Sequence, residues 1–229
     1  MKQHSIIAML LSAAIIFGGC ASMNNTGKGA AIGAGSGALL GAGIGALAGK
    51  GKGAAIGAAI GTAVGAGTGV LIGRKMDKQK KELEALENAR IETVTDANNL
   101  QAIKITFESG ILFPTNGTSL SASSKNDLDK FARSLRNSPD TDVTIFGHTD
   151  NTGTYEVNQR ISRQRAESVA DFLVQNGIAR NRLTTTGKAY DEPVADNATA
   201  AGKAQNRRVE IYITANEKMI QDAESGRLN

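Results

Sequence analysis

The sequence contains few of the residues that build redox, metal and aromatic binding sites. Among 229 residues it has one cysteine, two histidines and no tryptophan, and aromatic residues make up 4%. The single cysteine, Cys20, excludes an intrachain disulfide. His4 and His148 alone support neither a zinc cluster nor a serine–histidine–aspartate arrangement. We therefore expect no enzymatic activity, no metal and no cofactor. A net charge of +4, without a basic stripe of interleaved aromatics, gives no indication of nucleic-acid binding.

The first twenty residues have the pattern of a lipoprotein signal. A positive start at Met1-Lys2 is followed by an apolar run from Ile6 to Phe17, too short to span a bilayer comfortably. Small residues then precede Cys20, as in a bacterial lipobox, although Phe17 stands where leucine is usual. We predict a signal peptide over 1–19, lipidation (palmitate included) at Cys20 and a short tether over 20–26. The alternative is an ordinary secretory signal with a chance cysteine.

Glycine is concentrated in the first third of the chain. It occupies every fourth position from Gly29 to Gly73, and the runs 29–49 and 53–73 carry no charge. As a helix, each run would cross a hydrocarbon core of about 30 Å. A stripe of small residues lets two helices approach closely in lipid. We predict a transmembrane helical hairpin over 27–74 that turns at 50–52.

This segment resembles the glycine zippers of some outer-membrane lipoproteins, and two other interpretations remain open. The first is a flexible glycine-rich linker, and the second is an aggregation-prone β segment. The hairpin interpretation returns the chain to the periplasmic side, leaves Lys50 and Lys52 facing outward, and allows self-association through the glycine stripe. The residue after Cys20 is Ala21 rather than aspartate, which favours the outer membrane.

Residues 75–91 are charged and helix-forming. Leu83 and Leu86 suggest a narrow apolar stripe, as in a short stalk or a self-pairing helix. We favour the plainer interpretation of a solvated helical linker.

The rest of the chain alternates strand and helix patterns, which predicts an α/β (α+β) sandwich over 92–216 with helices on one face of a mixed sheet. Residues 217–229 are expected to form a polar tail or a loose helix. The predicted strands are 91–95 and 102–107 as a hairpin, 111–113, 143–146, 183–187 and 209–213; the predicted helices run from Ser121 or Ser123 to about Arg136 and over 155–176.

One arginine breaks the pattern of the second helix. Arg165 falls within the apolar stripe, with Asn158 about two turns before it. A buried guanidinium keeps its proton and needs an anionic partner. Three explanations remain open. Arg165 forms a structural ion pair with Asp150 in the turn before the helix, or it binds an anionic ligand, or its side chain snorkels to the edge of the core. We expect the neighbouring His148 to orient the turn.

These residues carry a family resemblance. Gly-His-Thr-Asp-Asn-Thr-Gly at 147–153, Asn158, Ile-Ser-x-x-Arg-Ala at 161–166 and Asn-Arg-Arg-Val-Glu at 206–210 resemble the OmpA-like peptidoglycan-binding domains. The resemblance implies that Asp150 and Arg165 clamp the diaminopimelate of the stem peptide. It also makes Thr149 and Asn158 binding candidates.

The resemblance places one of two adjacent arginines near the cleft, and Arg208 is favoured over Arg207. Pro114 follows Phe113 where the family usually has aspartate, so this chain departs from the family pattern at that position.

The expected function is that of an outer-membrane lipoprotein that grips peptidoglycan from the periplasm and ties the membrane to the cell wall. The alternative is an envelope assembly or stress factor that acts mainly through the zipper hairpin.

Overall fold

The computed structural model describes residues 66–114 and 117–228. The predicted signal peptide, Cys20, the tether and residues 27–65 of the predicted hairpin lie outside the described residues. Those four expectations therefore stay predictions.

Helices and strands alternate along the described chain. They are α1 (Ala66–Leu83), β1 (Arg90–Thr95), β2 (Gln101–Glu108), α2 (Ser109–Leu112), α3 (Ala122–Asn137), β3 (Thr141–Gly147), α4 (Tyr155–Gln175), a 3-10 turn (Arg180–Arg182), β4 (Leu183–Gly187), α5 (Ala200–Asn206), β5 (Arg208–Ala215) and α6 (Glu217–Glu224).

The five strands form one mixed sheet in the order β1-β2-β5-β3-β4. Neighbours are antiparallel except β3 and β4, which are parallel. Ile105 pairs with Ile211, which pairs with Ile145, so one row of apolar side chains crosses three strands. All three are fully buried. The predicted α/β architecture is confirmed.

Local signals set the helix ends as the sequence predicts. Ser121 caps α3 by accepting a hydrogen bond from the Ser124 N–H at 3.1 Å. Gly177, with φ of +86°, ends α4, and the Ile178 N–H returns to the Leu173 carbonyl at 3.0 Å.

The predicted strand at 111–113 is wrong, because this segment belongs to a helical turn, α2, and the residue that ends it. The Phe113 N–H donates to the Ser109 carbonyl at 2.8 Å, and the Ser109 N–H donates to the Arg207 carbonyl at 2.8 Å. Leu112 and Phe113 are buried as expected. A run of three apolar residues does not distinguish a strand from a helical turn by periodicity.

The expected solvated linker is part of the packed domain. α1 runs without a break through Arg74, and Ile72, Met76 and Leu83 are buried in the main core. Their spacing of four and seven residues places them on one helix face, which packs against β2, α3 and α6. Within the described residues, none of the helices combines the length and the hydropathy needed to cross a bilayer.

The expected polar tail folds back as α6. Met219, Ile220 and Ala223 are buried, and this helix packs on α1. The apolar faces of the two helices cover each other, which explains why neither is a free spacer. Among the described residues, the main apolar core runs from Ile72 to Leu228. A fragment that starts at residue 66 carries all of that core, and we use it for the experiments below.

Candidate functional site

The site is built where β3 ends and α4 passes closely over the sheet. A Cβ on Gly147 would lie 2.0 Å from the Ser162 carbonyl oxygen, and one on Gly187 would lie 2.7 Å from the Arg163 nitrogen. Gly147 is therefore needed for this close approach. Its neighbour in the turn, Gly153, is needed for its φ of +89°.

The turn after β3 is held by hydrogen bonds between its backbone and residues outside it. The Thr149 N–H donates to the Ala189 carbonyl at 2.8 Å, and the Asn158 amide donates to the carbonyls of Thr152 and Thr154 at 2.8 and 3.0 Å. These bonds hold the turn against the first turns of α4. As a result Asp150 and the cleft-facing side of α4 lie at one opening.

Asp150 accepts two strong hydrogen bonds. Its Oδ1 accepts from the Thr152 N–H at 2.8 Å, and its Oδ2 accepts from Nη1 of Arg207 at 2.6 Å. Burial acts to raise the pKa of this carboxyl, but the bonds from Arg207 and Thr152 outweigh it and hold the pKa below its ordinary value. Asp150 is therefore a fixed anion at the opening.

Arg165 is buried without an acidic partner. Only 6% of it is exposed, its Nε donates to the Gly117 carbonyl at 3.1 Å, and its guanidinium lies 5.3 Å from the ring centre of Phe113. Within the described residues no carboxylate lies within 4.0 Å of it. Burial lowers the pKa of Arg165, the charge of Arg207 adds to this, and Asp150 opposes it. The structural ion pair between Asp150 and Arg165, one of the interpretations left open, is not formed.

Both side chains open into one cleft of about 810 Å³. Three basic side chains, those of Arg165, Lys203 and Arg207, line it together with a single carboxylate, that of Asp150. Nζ of Lys203 lies 3.2 Å from the hydroxyl of Thr152. The other lining residues are Ser109, Gly110, Phe113, Pro114, Thr149, Val157, Asn158, Ile161 and Ala200. A net positive cleft that holds one fixed anion suits a ligand with both signs of charge and an excess of carboxylate.

Residues 112–207 match the OmpA family model. Over these residues the chain is similar to an OmpA-family domain. Residues 1–77 match the model of the YMGG-like Gly-zipper, so the second match ends inside α1. The chain is 39% identical over 112 residues to "Probable lipoprotein YiaD" of Escherichia coli, covering 49% of this chain and 51% of that protein. It is 45% identical over 103 residues to "Peptidoglycan-binding protein ArfA" of Mycobacterium tuberculosis, covering 45% of this chain and 32% of that protein.

The chain thus spans about half of the first relative and about a third of the second. Among solved structures it is similar to a MotB-like protein from Desulfovibrio vulgaris, with a TM-score of 0.55 over 65% of this chain and 96% of that chain. At 22% identity this likeness shows the fold alone, and it agrees with the architecture described above.

Four of the five predicted binding residues line the cleft of the OmpA-like domain. They are Thr149, Asp150, Asn158 and Arg165. The amide of Asn158 is used to hold the turn. The hydroxyl of Thr149 is buried and has no hydrogen-bond partner within the described residues.

The fifth residue, Arg208, is a correction. It is buried on the other face of the sheet, where its Nε donates to Glu210 at 2.7 Å, and Arg207 lies in the cleft instead. The signal was available in the sequence. Val209, Ile211 and Ile213 point to the core, so strand alternation places Arg208 away from the helices and Arg207 on their side.

His148 also points away from the cleft of the OmpA-like domain. It is 1% exposed, neither ring nitrogen has a hydrogen-bond partner within the described residues, and Nε2 is 4.0 Å from Glu210. Burial, reinforced by the charge of Arg208, lowers its pKa to about 3. It therefore fills space as a neutral ring. The sequence suggested that His148 orients the turn, but its ring makes no hydrogen bond within the described residues that could do so.

Proposed function

We propose that the cleft binds peptidoglycan without covalent chemistry, through the diaminopimelate of the stem peptide. The observation that carries the proposal is a buried, unpaired guanidinium, that of Arg165, in one cleft with the ionised carboxylate of Asp150. Diaminopimelate presents an ammonium and a carboxylate on one carbon. The similarity to the OmpA family and the name of the ArfA relative support the choice of polymer.

The two charges have different roles in this proposal. Arg165 offers a planar fork of donors that a carboxylate accepts in two parallel bonds. Asp150 accepts hydrogen bonds from the ammonium. In the structure its carboxylate is bonded to Arg207, whose side chain is 42% exposed. The ligand ammonium therefore shares the carboxylate with Arg207, or displaces Arg207 from it, at little cost.

Binding rather than catalysis fits the groups that line the cleft. Among the described lining residues, Asp150 is the one carboxylate, and histidine and cysteine are absent. Its pKa lies below the ordinary value, so it stays ionised and is a poor general acid. The basic groups, Lys203 included, serve to hold anions.

The test of the ligand compares matched muropeptides on the fragment 66–229. Amidation of the diaminopimelate carboxylate removes the group assigned to Arg165. Since a charge-assisted hydrogen bond contributes about 1.5–3 kcal/mol, affinity should fall roughly ten- to a hundred-fold. Amidation of the glutamate carboxylate in the same stem removes one charge elsewhere and is the control. An equal loss with both amides would mean that the cleft senses only total charge, and the assignment would fail.

We further propose that the chain is held in the outer membrane by lipid at Cys20 and by the glycine zipper. The domain would then lie in the periplasm and tie the membrane to the wall. The zipper match over residues 1–77 supports a membrane segment, and the lipoprotein name of the YiaD relative supports the anchor. One acyl chain gives only marginal membrane attachment, so several chains together with the zipper would make it firm.

The anchor is tested by metabolic labelling with a palmitate analogue. The wild-type chain should be labelled and Cys20→Ala should not, because Cys20 is the only cysteine in the sequence. Blotting must show that both proteins are present at similar levels. Equal labelling of the two proteins would contradict lipidation at this residue.

A further inference from the structure

α1 carries a row of exposed cations from its middle to its last turn. Arg74, Lys78 and Lys81 are spaced four and three residues apart, so they share one face of the helix, opposite Ile72 and Met76. Within the part of the chain that the structure describes, no carboxylate lies within 4.0 Å of any of the three. We call these three residues the basic row.

The basic row differs from other charged helix faces of this protein. In α3 Arg133 pairs with Asp129 at 2.6 Å, and in α4 Arg163 pairs with Glu167 at 2.9 Å. α1 contains two acidic residues, Asp77 and Glu82. Asp77 accepts a hydrogen bond from the side chain of Gln101 at 2.7 Å and is thereby drawn towards β2, and Glu82, four residues after Lys78, is exposed. Neither carboxylate forms an ion pair with the row within the described residues, so the three cations are left unpaired.

The position of the row in the chain identifies what it faces. Asp77 is the first acidic residue of the sequence, so the 76 residues before it carry no negative side chain. The Gly-zipper match runs into α1 and ends at residue 77. Val70, 41% exposed, lies on the same face one turn before Arg74, towards the zipper. The row therefore begins where the chain leaves the segment proposed to lie in the membrane.

α1 cannot rotate about its axis, and so change the direction of the basic row, without unfolding part of the domain. Ile72, Met76 and Leu83 are at most 1% exposed and belong to the main core. The buried face fixes the helix, so the charged face has a fixed direction relative to the sheet and the cleft. A surface that meets the row would also orient the whole domain.

We propose that the basic row lies against the anionic phospholipid headgroups of the membrane that holds the N-terminal segment. This rests on the membrane attachment proposed above and is independent of the ligand of the cleft. Basic residues next to a membrane segment are attracted by about 1 kcal/mol each, within a Debye length of the surface. The contact is electrostatic, because the apolar face of α1 is used by the core. It would hold the domain in one orientation at the membrane surface.

The test uses the fragment 66–229, which lacks the segment proposed to insert, with vesicles of phosphatidylcholine containing phosphatidylglycerol. The fragment should float with these vesicles at low salt, and not with vesicles of phosphatidylcholine alone. Lys78→Gln with Lys81→Gln should weaken binding roughly thirty-fold, which is about 1 kcal/mol for each charge. The matched control, Lys125→Gln with Arg160→Gln, removes the same charge from two exposed positions on α3 and α4.

Three results would overturn the proposal: equal weakening by both pairs of substitutions, equal flotation with both kinds of vesicle, or no flotation of the wild-type fragment with anionic vesicles. A fourth would reassign the row to the wall polymer: loss of sacculus binding by the Lys78 and Lys81 variant with vesicle binding intact. Failure of the peptidoglycan proposal is distinguishable, because it appears with muropeptides and leaves flotation unchanged.

Discussion

Arg165→Ala should release the domain from purified sacculi while leaving it folded. In the proposed complex the guanidinium makes two parallel bonds to a carboxylate, each contributing about 1.5–3 kcal/mol. Loss of one such bond should lower the affinity roughly ten- to a hundred-fold, and loss of both should lower it further. Retention of the fragment 66–229 on sacculi, measured by sedimentation, gives the affinity.

The fold should survive because Arg165 makes few contacts with the protein. Within the described residues, the side chain of Arg165 stabilises the fold through one hydrogen bond to the Gly117 carbonyl and through its stacking over Phe113. A net hydrogen bond contributes about 0.5–1.5 kcal/mol and a cation–π contact about 0.5–1 kcal/mol, so the fragment should lose roughly 1–2.5 kcal/mol of stability. Breaking a buried ion pair would instead cost about 3–5 kcal/mol. Urea unfolding of the same variant separates the two explanations.

Arg163→Ala is the matched control for this experiment. Arg163 lies two residues before Arg165 in α4, is exposed, and bonds only to Glu167 on the same helix among the contacts described. Its loss removes the same charge and a similar side chain, and sacculus retention should be unchanged. A folded Arg165→Ala variant that still binds sacculi like the control would end the clamp hypothesis.

Asp150→Asn provides the complementary result. Asparagine retains an oxygen that can accept from the Thr152 N–H, so the turn should keep its shape. The hydrogen bond from Arg207 is then made to a neutral amide oxygen, at small cost because the side chain of that arginine is 42% exposed. Binding should still fall, since the ammonium of the ligand loses its counter-ion.

The domain could be predicted from sequence wherever one local signal acted without competition. The apolar stripe of α4 predicted a helix at the right place, and Gly177 predicted where it ends. The cap of α3 is Ser121, one of the two serines predicted for that position. Arg165 was identifiable because a charged residue inside an apolar stripe has few explanations. Asp150 followed from its place in the turn before that helix.

Other features depended on contacts distant in sequence. Gly147 is required because Ser162 of α4 passes within contact distance, which no property of residues 147–153 reveals. The regular spacing of glycine up to Gly73 cannot show that Ile72 is buried in the main core instead of facing lipid. The alternation of apolar residues in β5 does predict that Arg207 lies on the side of the cleft. Family resemblance alone does not distinguish between the two adjacent arginines.

Acid should unfold this domain through a histidine that plays no part in the clamp. Four charged residues surround His148: Arg208 and Glu210 on β5, Lys188 just after β4, and Lys104 on β2. The three basic residues disfavour a positive charge on the histidine, and Glu210 favours it. Burial is the largest contribution, and together they lower the pKa of His148 from 6.5 to about 3. The carboxyl of Glu210 is buried too, but its basic neighbours Arg208 and Lys104 lower its pKa to about 2.

The pH dependence follows from these two shifts. A group whose pKa is lower in the folded state binds protons more weakly there than in the unfolded chain. The contribution of His148 is therefore fully present above about pH 6.5 and is lost as pH falls towards 3, and that of Glu210 is lost between about 4.5 and 2. At about 1.36 kcal/mol per unit, the shift of His148 corresponds to roughly 5 kcal/mol in total.

Urea unfolding of the fragment 66–229 at a series of pH values tests the assignment, because His148 is the only histidine in that fragment. The free energy of unfolding should fall by a few kcal/mol between about pH 6.5 and pH 4.5, before most carboxylates titrate. His148→Phe keeps a ring of similar shape and removes both unpaired nitrogens, so its stability should be almost constant over that interval and fall only at lower pH. Parallel curves for the two proteins would show that other groups cause the acid sensitivity, since the variant has no imidazole left to protonate.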